Sequence, residues 1–117
     1  MLRIWRATVN SRNGLLFAVR SEQAIREELI ALLLAVPAAW LVGATMMRRV
    51  ELVCAVGLIL VVELLNTAIE KLADRLTLDH YPQIGRVTDI SSAAVGATLL
   101  MSMLFWLFAL AERMGAI

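Results

Sequence analysis

The sequence has one cysteine, one histidine and neither of the common glycine-rich phosphate-binding motifs. Cys54 has no partner in its own chain, which excludes an internal disulfide framework and a cysteine-based metal site. Because Cys54 lies inside an apolar run, we expect it to be a small buried hydrophobe. G-x-x-x-x-G-K-[ST] and G-x-G-x-x-G do not occur, so any nucleotide site must be built from helix faces. No run of lysine and arginine suggests a nucleic-acid surface, so we expect no nucleic-acid partner.

Apolar side chains are what the sequence has in excess. Of its 117 residues 61% are hydrophobic, and the mean hydropathy is +0.79. This is too apolar for an ordinary soluble fold of that size, and we interpret residues 1–117 as a single integral membrane domain. The first 28 residues are basic and amphipathic, so we expect no cleavable signal peptide and a first apolar stretch that is retained as a span.

The apolar stretches predict an all-α membrane protein with an N-terminal amphipathic surface helix and three transmembrane helices. The surface helix is predicted at residues 1–20, with a break at residues 10–14 where S-R-N-G is typical of a turn. Ser21 is predicted to be the N-cap of the next helix. The helices that form the three spans are predicted at residues 26–46, 50–74 and 90–111.

The stretch 77–85 is the one predicted loop of any length. It contains His80, which we expect to be a loop or interfacial histidine and not a ligand.

The distribution of cations predicts the orientation in the membrane. If the N-terminus is cytoplasmic, eight of the eleven lysines and arginines fall on the cytoplasmic side. These eight are Arg3, Arg6, Arg12, Arg20, Arg26, Lys71, Arg75 and Arg86, and the other three are Arg48, Arg49 and Arg113. The excess of cytoplasmic cations predicts a multi-pass inner-membrane protein with its N-terminus inside.

The stretch E-L-L-N-T-A-I-E-K-L-A-D carries a stripe of polar side chains, which we call the polar stripe: Glu63, Asn66, Glu70 and Asp74. At roughly 100° per residue these four positions fall within about 80° of arc, over about 16 Å of one helix. Three carboxylates on one face at the end of a hydrophobic run repel one another. We therefore expect something cationic to lie against the stripe.

The residue types around the stripe favour phosphoryl transfer at a membrane surface. Carboxylates without histidine or thiolate partners favour a hard cation, and Mg²⁺ typically takes one or two protein carboxylates plus substrate phosphates. The N-terminal arginines supply partners for phosphate. Glu63, close to the membrane boundary, suits a general base for a lipid hydroxyl, although an interhelical hydrogen-bonding role is the alternative. Glu22 and Arg26 are one turn apart, and a simple surface pair is the alternative there.

These motifs resemble those of the prokaryotic diacylglycerol kinase family of small integral membrane kinases. The resemblance rests on the polar stripe, on S-E-Q-A-I-R-E-E upstream and on G-R-V-T-D-I-S-S-A-A-V downstream. It implies a surface helix plus three spans per subunit and a homotrimer whose active sites are shared between neighbouring subunits. It also implies Mg²⁺ as cofactor, with ATP as co-substrate and diacylglycerol as acceptor.

The resemblance implies a role for particular residues. It makes Glu63 the catalytic base, while Glu22 and Glu70 look like the carboxylates that hold the metal. The positions that match nucleotide, lipid or phosphate contacts are Arg3, Arg6, Ser11, Asn66, Asp74 and Asp89. Arg26 and Glu28 match the charged pair at the entrance to the first span.

The sequence departs from the family pattern at Thr88, where members usually carry a lysine that looks like a phosphate clamp. Ser91 stands where glycine or alanine is common. A hydroxyl cannot replace an ammonium, so either Arg86 or Arg6 fills the role or the chain is a weakened variant.

We therefore predict an ATP-dependent diacylglycerol kinase that makes phosphatidic acid at the cytoplasmic face. The alternatives are an undecaprenol kinase of the same family and a membrane homologue without catalysis. An ion-conducting or rotor-type subunit is disfavoured, because such a subunit needs one isolated carboxylate in a glycine-rich hairpin.

Overall fold

A computed structural model describes residues 1–76 and 82–117, and the described residues form four helices. In chain order these are α1 (Leu2–Ser21), α2 (Gln23–Val42), α3 (Met46–Leu76) and α4 (Pro82–Arg113). The all-α prediction is confirmed for this part of the chain. His80, and most of the loop predicted around it, lie outside the described residues.

Two of the described helices, α3 and α4, are long and apolar enough to cross a membrane. Helix α2 has 20 residues but begins with a charged turn that contains Arg26, Glu27 and Glu28. Its apolar part is therefore shorter, and a third span stays a prediction. Pro37 lies inside α2, as the sequence predicts.

Helix α3 is the centre of the fold, because α4 packs along one side of it and α2 along another, while α1 contacts α2. The buried core is small and centres on Ala39, Leu52 and Ala109. Most large apolar side chains, such as Leu33 and Leu104, are exposed. Because an exposed apolar surface of this extent is rare on soluble monomers, it suits contact with lipid or with other chains.

Two predictions about the N-terminal segment are wrong. Helix α1 runs through residues 10–14 without a break, because a glycine inside a helix lowers its stability by only about 1 kcal/mol and does not end it. Ser21 is the last residue of α1 and not the N-cap of α2. Glu22 alone separates the two helices, with extended backbone at φ −126° and ψ 120°.

Helix α2 ends at Val42 because Gly43 turns the chain sharply into α3. A Cβ at Gly43 would lie 2.6 Å from Cγ of Arg49 and 2.8 Å from the carbonyl oxygen of Ala39. Only glycine therefore allows the close approach that this turn requires.

Two further predictions are corrected at α4 and at Cys54. Helix α4 begins at Pro82, so residues 82–85 are helical where a loop was predicted, and the helix starts eight residues before the predicted start at residue 90. Proline is well tolerated at the first position of a helix, because the amide hydrogen it lacks would have no helical acceptor there. Cys54 is exposed, because it lies on the surface of α3 that borders an apolar groove lined by Trp40 and Val53.

Candidate active site

The polar stripe lies along α3 as its spacing predicts. Asn66 is buried, with 7% of its surface exposed, and Glu63 is half-buried. Glu70 and Asp74 are exposed. The stripe thus leaves the packed interior of the bundle and becomes accessible toward the C-terminal end of α3.

Carboxylates from two other parts of the chain join the stripe. Glu22, at the junction of α1 and α2, lies close enough to Glu63 to repel it electrostatically, and so does Glu70. Glu28, in the first turns of α2, also lies within electrostatic range of Glu63. We call Glu22, Glu28, Glu63 and Glu70 the carboxylate cluster. Such a concentration of like charge is unfavourable unless a cation joins it.

Lys71 supplies a cation at the edge of this cluster. Its Nζ atom lies 3.0 Å from Oε1 of Glu22, and both side chains remain partly exposed, at 42% and 36%. The ammonium also lies 5.3 Å from the centroid of the Phe17 ring on α1. Lys71 therefore ties the start of α2 to α3 without being enclosed.

Arg26 does not pair with Glu22, contrary to the surface pair considered from the sequence. Its Nη1 atom donates hydrogen bonds to the carbonyl oxygens of Val19 at 2.8 Å and Arg20 at 3.2 Å. These carbonyls belong to the last turn of α1, where the helix has no amide donors left for them and the helix dipole favours a cation. Arg26 therefore caps the C-terminus of α1, and the carboxylate of Glu22 pairs with Lys71 instead.

A chain of hydrogen bonds connects α4 to the carboxylate cluster. Nδ2 of Asn66 donates to Oε1 of Glu70 at 3.2 Å, which leaves Oδ1 of Asn66 as an acceptor. Oγ of Ser91 lies 2.6 Å from that oxygen and 2.9 Å from the carbonyl oxygen of Thr88. Because a hydroxyl donates only one proton, we assign it to the shorter contact with Asn66. Ser91 thus fixes the Asn66 amide, and the amide orients Glu70.

The G-R-V-T-D segment lies on the first turns of α4. Oγ1 of Thr88 donates to the carbonyl oxygen of Gly85 at 2.9 Å, so the hydroxyl is used within its own helix. Arg86 and Asp89 are exposed, and their positions lie more than about 130° around α4 from Ser91. Ser91 is the α4 residue that contacts Asn66, so the fold of a single chain does not bring Arg86 and Asp89 to Asn66.

The predicted N-terminal site residues are placed along α1, and all three are exposed. Arg3 and Arg6 lie toward the start of the helix. Ser11 donates to the carbonyl oxygen of Ala7 at 2.9 Å and lines a groove between α1 and α3. The groove is mostly apolar, and its polar lining comes from Ser11, Thr67 and Lys71. Of the predicted N-terminal residues, Ser11 is therefore the one that the groove connects to Lys71.

The donor set of the carboxylate cluster fits a magnesium ion that also binds phosphate. Within residues 1–76 and 82–117 no three acidic, histidine or cysteine side chains are arranged to hold a metal by themselves. Mg²⁺, however, commonly uses only one or two protein carboxylates and takes its remaining ligands from phosphate and water. Glu22 and Glu70 can supply such a pair, since both are accessible and Asn66 already orients Glu70.

Sequence reasoning missed two contacts of this region, namely the pairing of Lys71 with Glu22 and the contact of Ser91 with Asn66. Lys71 lies about 80° around α3 from Glu63, close to the polar stripe. This position was the signal in the sequence that a cation lies near the carboxylates. For Ser91 the signal was a hydroxyl in a small-residue segment of a predicted span.

Comparison with known proteins agrees with the resemblance. Residues 9–110 match the family profile described as Prokaryotic diacylglycerol kinase. The chain is 36% identical over 113 residues to a diacylglycerol kinase of Escherichia coli K12, which covers 97% of this chain and 93% of that protein. A diacylglycerol kinase of Pseudomonas aeruginosa is 35% identical over 89% of this chain and 85% of its own length. One from Haemophilus influenzae is 30% identical over 86% of this chain and 85% of its own length.

Proposed function

The chain belongs to the prokaryotic diacylglycerol kinase family, and on that premise we propose that it transfers the γ-phosphoryl group of ATP to the free hydroxyl of diacylglycerol, giving phosphatidic acid and ADP. The observation that carries the proposal is the carboxylate cluster, which joins Glu63 to Glu22 and Glu70 beside Lys71. A divalent metal ion that binds together with a polyphosphate would offset part of this excess of negative charge.

In this proposal Glu63 is the general base. Its carboxylate accepts the proton of the lipid hydroxyl while the hydroxyl oxygen forms a bond to the γ-phosphorus and the bond to the ADP oxygen breaks. Positioned proton transfer of this kind contributes about 10²- to 10⁴-fold to a rate. Glu63 is half-buried at the boundary of an apolar segment, where an acyl chain and a polar headgroup can meet.

Glu22 and Glu70 would hold Mg²⁺, which when bound neutralises phosphate charge and aligns the reacting oxygens. Asn66 keeps Glu70 in place through the 3.2 Å hydrogen bond, and Ser91 keeps Asn66 in place. Phosphoryl transfer depends mainly on positioning and electrostatics. The hydrogen bonds that hold Asn66 and Glu70 in place would provide part of that positioning.

The lipid acceptor has a suitable path in the groove between α1 and α3. Leu15 and Phe17 on one side and Leu64 on the other give it an apolar lining, and Thr67 and Lys71 give it polar groups. An acyl chain in this groove would bring its headgroup toward Glu22 and Glu63.

We further propose that the protein is an inner-membrane homotrimer with three spans and a cytoplasmic N-terminus. Arg86 and Asp89 are exposed on a different side of α4 from Ser91, so they are free to face a neighbouring subunit. This supports active sites that are shared between subunits. The extensive apolar surface supports both lipid contact and subunit contact.

The test is transfer of labelled phosphate from ATP to purified diacylglycerol and, separately, to undecaprenol. We expect Mg²⁺-dependent label in diacylglycerol and a loss of about 10³-fold for Glu63→Gln. Glu51→Gln, the same substitution at the other end of α3, is the matched control and should transfer label like the wild type. Label only in undecaprenol would identify the other kinase of the family.

The same assay detects a chain without catalysis. No transfer to either lipid by the folded wild-type protein would contradict the proposal and favour a homologue weakened by Thr88. Equal labelling by Glu63→Gln would remove Glu63 from the mechanism.

A further inference from the structure

We propose that Lys71 is the phosphate-binding cation of this chain. In the free protein its ammonium pairs with Glu22, and when a nucleotide binds it turns to the phosphate oxygens. The inference rests on the proposed function and names a residue that neither the sequence motifs nor the family resemblance assigns to the site.

The carboxylate cluster creates the need for such a cation. A nucleoside triphosphate carries several negative charges, and in the proposed site it must approach Glu63, which Glu22 and Glu70 already repel. A divalent metal offsets part of that repulsion. A fixed cation on the protein offsets more of it, and phosphoryl-transfer sites commonly use a lysine in this way.

The nearby alternatives are less suited to this role. Thr88 is neutral, and its hydroxyl donates to the carbonyl oxygen of Gly85. The guanidinium of Arg26 is already used by two carbonyl oxygens of α1, and removing it would uncap that helix. Arg86 lies on a different side of α4 from Ser91, so its own chain does not bring it to Asn66.

The geometry of Lys71 fits both states. An ammonium has three donors on a flexible four-carbon stem, and the Glu22 contact at 3.0 Å uses one of them. The side chain is 42% exposed, so a ligand can reach it without rearrangement of the helices. Lys71 also directly follows Glu70 in α3 and pairs with Glu22, so it lies beside both proposed metal ligands.

A purely structural role for Lys71 makes a different prediction. If the ammonium only neutralises Glu22, its removal should strengthen divalent-metal binding and leave nucleotide affinity unchanged. If it also binds phosphate, its removal should still strengthen binding of metal alone but weaken binding of the nucleotide. The two roles are separated by nucleotide affinity, which is measured without any turnover.

The experiment uses the full chain in detergent micelles and compares Lys71→Met with Arg75→Met. Both variants lose one cation from the same helix, and Arg75 is exposed one turn further on. Binding of a non-hydrolysable ATP analogue is measured by calorimetry with Mg²⁺, and binding of Mn²⁺ alone by electron paramagnetic resonance. We expect Lys71→Met to bind the nucleotide about tenfold or more weakly and Mn²⁺ more tightly, with Arg75→Met like the wild type.

Restoring the charge provides the control for folding. Lys71→Arg should retain most of the nucleotide affinity, and adding Thr88→Lys to Lys71→Met should recover it from α4. The proposal is overturned if Lys71→Met binds nucleotide like the wild type, or if neither charge-restoring variant binds better than Lys71→Met. Failure of the wild-type protein to bind nucleotide at all would instead count against the proposed function.

Discussion

The two ends of α3 carry similar acidic residues in opposite surroundings. We call one end the Arg48 end. There Nη1 of Arg48 donates to Oε2 of Glu51 at 2.7 Å, and its Nε and Nη2 atoms donate to the two carboxylate oxygens of Glu112 on α4, at 3.1 and 3.3 Å. At the other, which we call the Glu63 end, the described residues bring four carboxylates together and pair only Glu22, with Lys71.

We interpret this difference as a division between charges that serve the fold and charges that serve a ligand. At the Arg48 end each charge of the ion pair has its counterpart within the chain, because the Arg48 guanidinium contacts both Glu51 and Glu112. At the Glu63 end, among residues 1–76 and 82–117, the four carboxylates of the cluster outnumber the one lysine that pairs with them, which supports our proposal that a bound ligand supplies further positive charge.

After the loss expected for Glu63→Gln, the largest effect at the Glu63 end is expected from removing one proposed metal ligand. Glu70→Gln should lower phosphate transfer about 100-fold, because the amide neither binds Mg²⁺ well nor carries charge. The loss should be partly relieved by higher Mg²⁺ concentration. Transfer is measured over a magnesium series on the purified protein.

Glu112→Gln, at the Arg48 end, is the matched control for that substitution. It should lower thermal stability and leave transfer unchanged at temperatures where the variant is folded. Equal loss of transfer from both variants would contradict the division between the two ends.

A smaller effect, on stability alone, is expected at the Arg48 end. Arg48→Met leaves Glu51 and Glu112 without their partner, and unpaired carboxylates in a partly buried site destabilise a fold. The melting temperature should fall by several degrees, whereas Arg113→Met, which removes an exposed cation from the same end, should change it little. Unchanged melting of Arg48→Met would show that this ion pair contributes nothing to the fold.

The smallest predicted effect tests the connection from α4. Ser91→Ala removes the 2.6 Å contact with Asn66, and a hydrogen bond of this kind contributes about 1 kcal/mol, equivalent to about fivefold in a rate. We expect kcat/KM to fall by about that factor with a higher magnesium requirement, because Glu70 is less well oriented. Ser92→Ala, at the exposed neighbouring position, is the control. A lower melting temperature with an unchanged magnesium requirement would make Ser91 structural only.

Much of the Glu63 end was predictable from the spacing of residues on α3. The polar stripe depends on local helical geometry, so the sequence correctly predicts that Glu63, Asn66 and Glu70 share a face. The pairing of Lys71 with Glu22 was not predictable in the same way. This pair joins residues far apart in sequence. It also depends on the break between α1 and α2, where Glu22 itself is the one extended residue.

The incorrect predictions concern the limits of helices and the surface of α3. Ser21 and Gly14 have the local chemistry of caps and turns, and residues 82–85 belong to a predicted loop, yet the helices run through these positions. Cys54 was expected to be buried because of its apolar neighbours. In a chain with so small a core, apolar sequence does not predict burial inside the chain.

The central claim is that a magnesium ion, bound together with the triphosphate of a nucleotide, offsets the negative charge of the carboxylate cluster. Its most direct test is thermal melting of the wild-type protein and of a Glu22→Gln/Glu70→Gln double variant, with a non-hydrolysable ATP analogue in the presence and absence of Mg²⁺. We predict that the analogue raises the melting temperature of the wild type only when Mg²⁺ is present, and that the double variant loses this response. An equal rise without Mg²⁺, or an undiminished rise in the double variant, would contradict the claim.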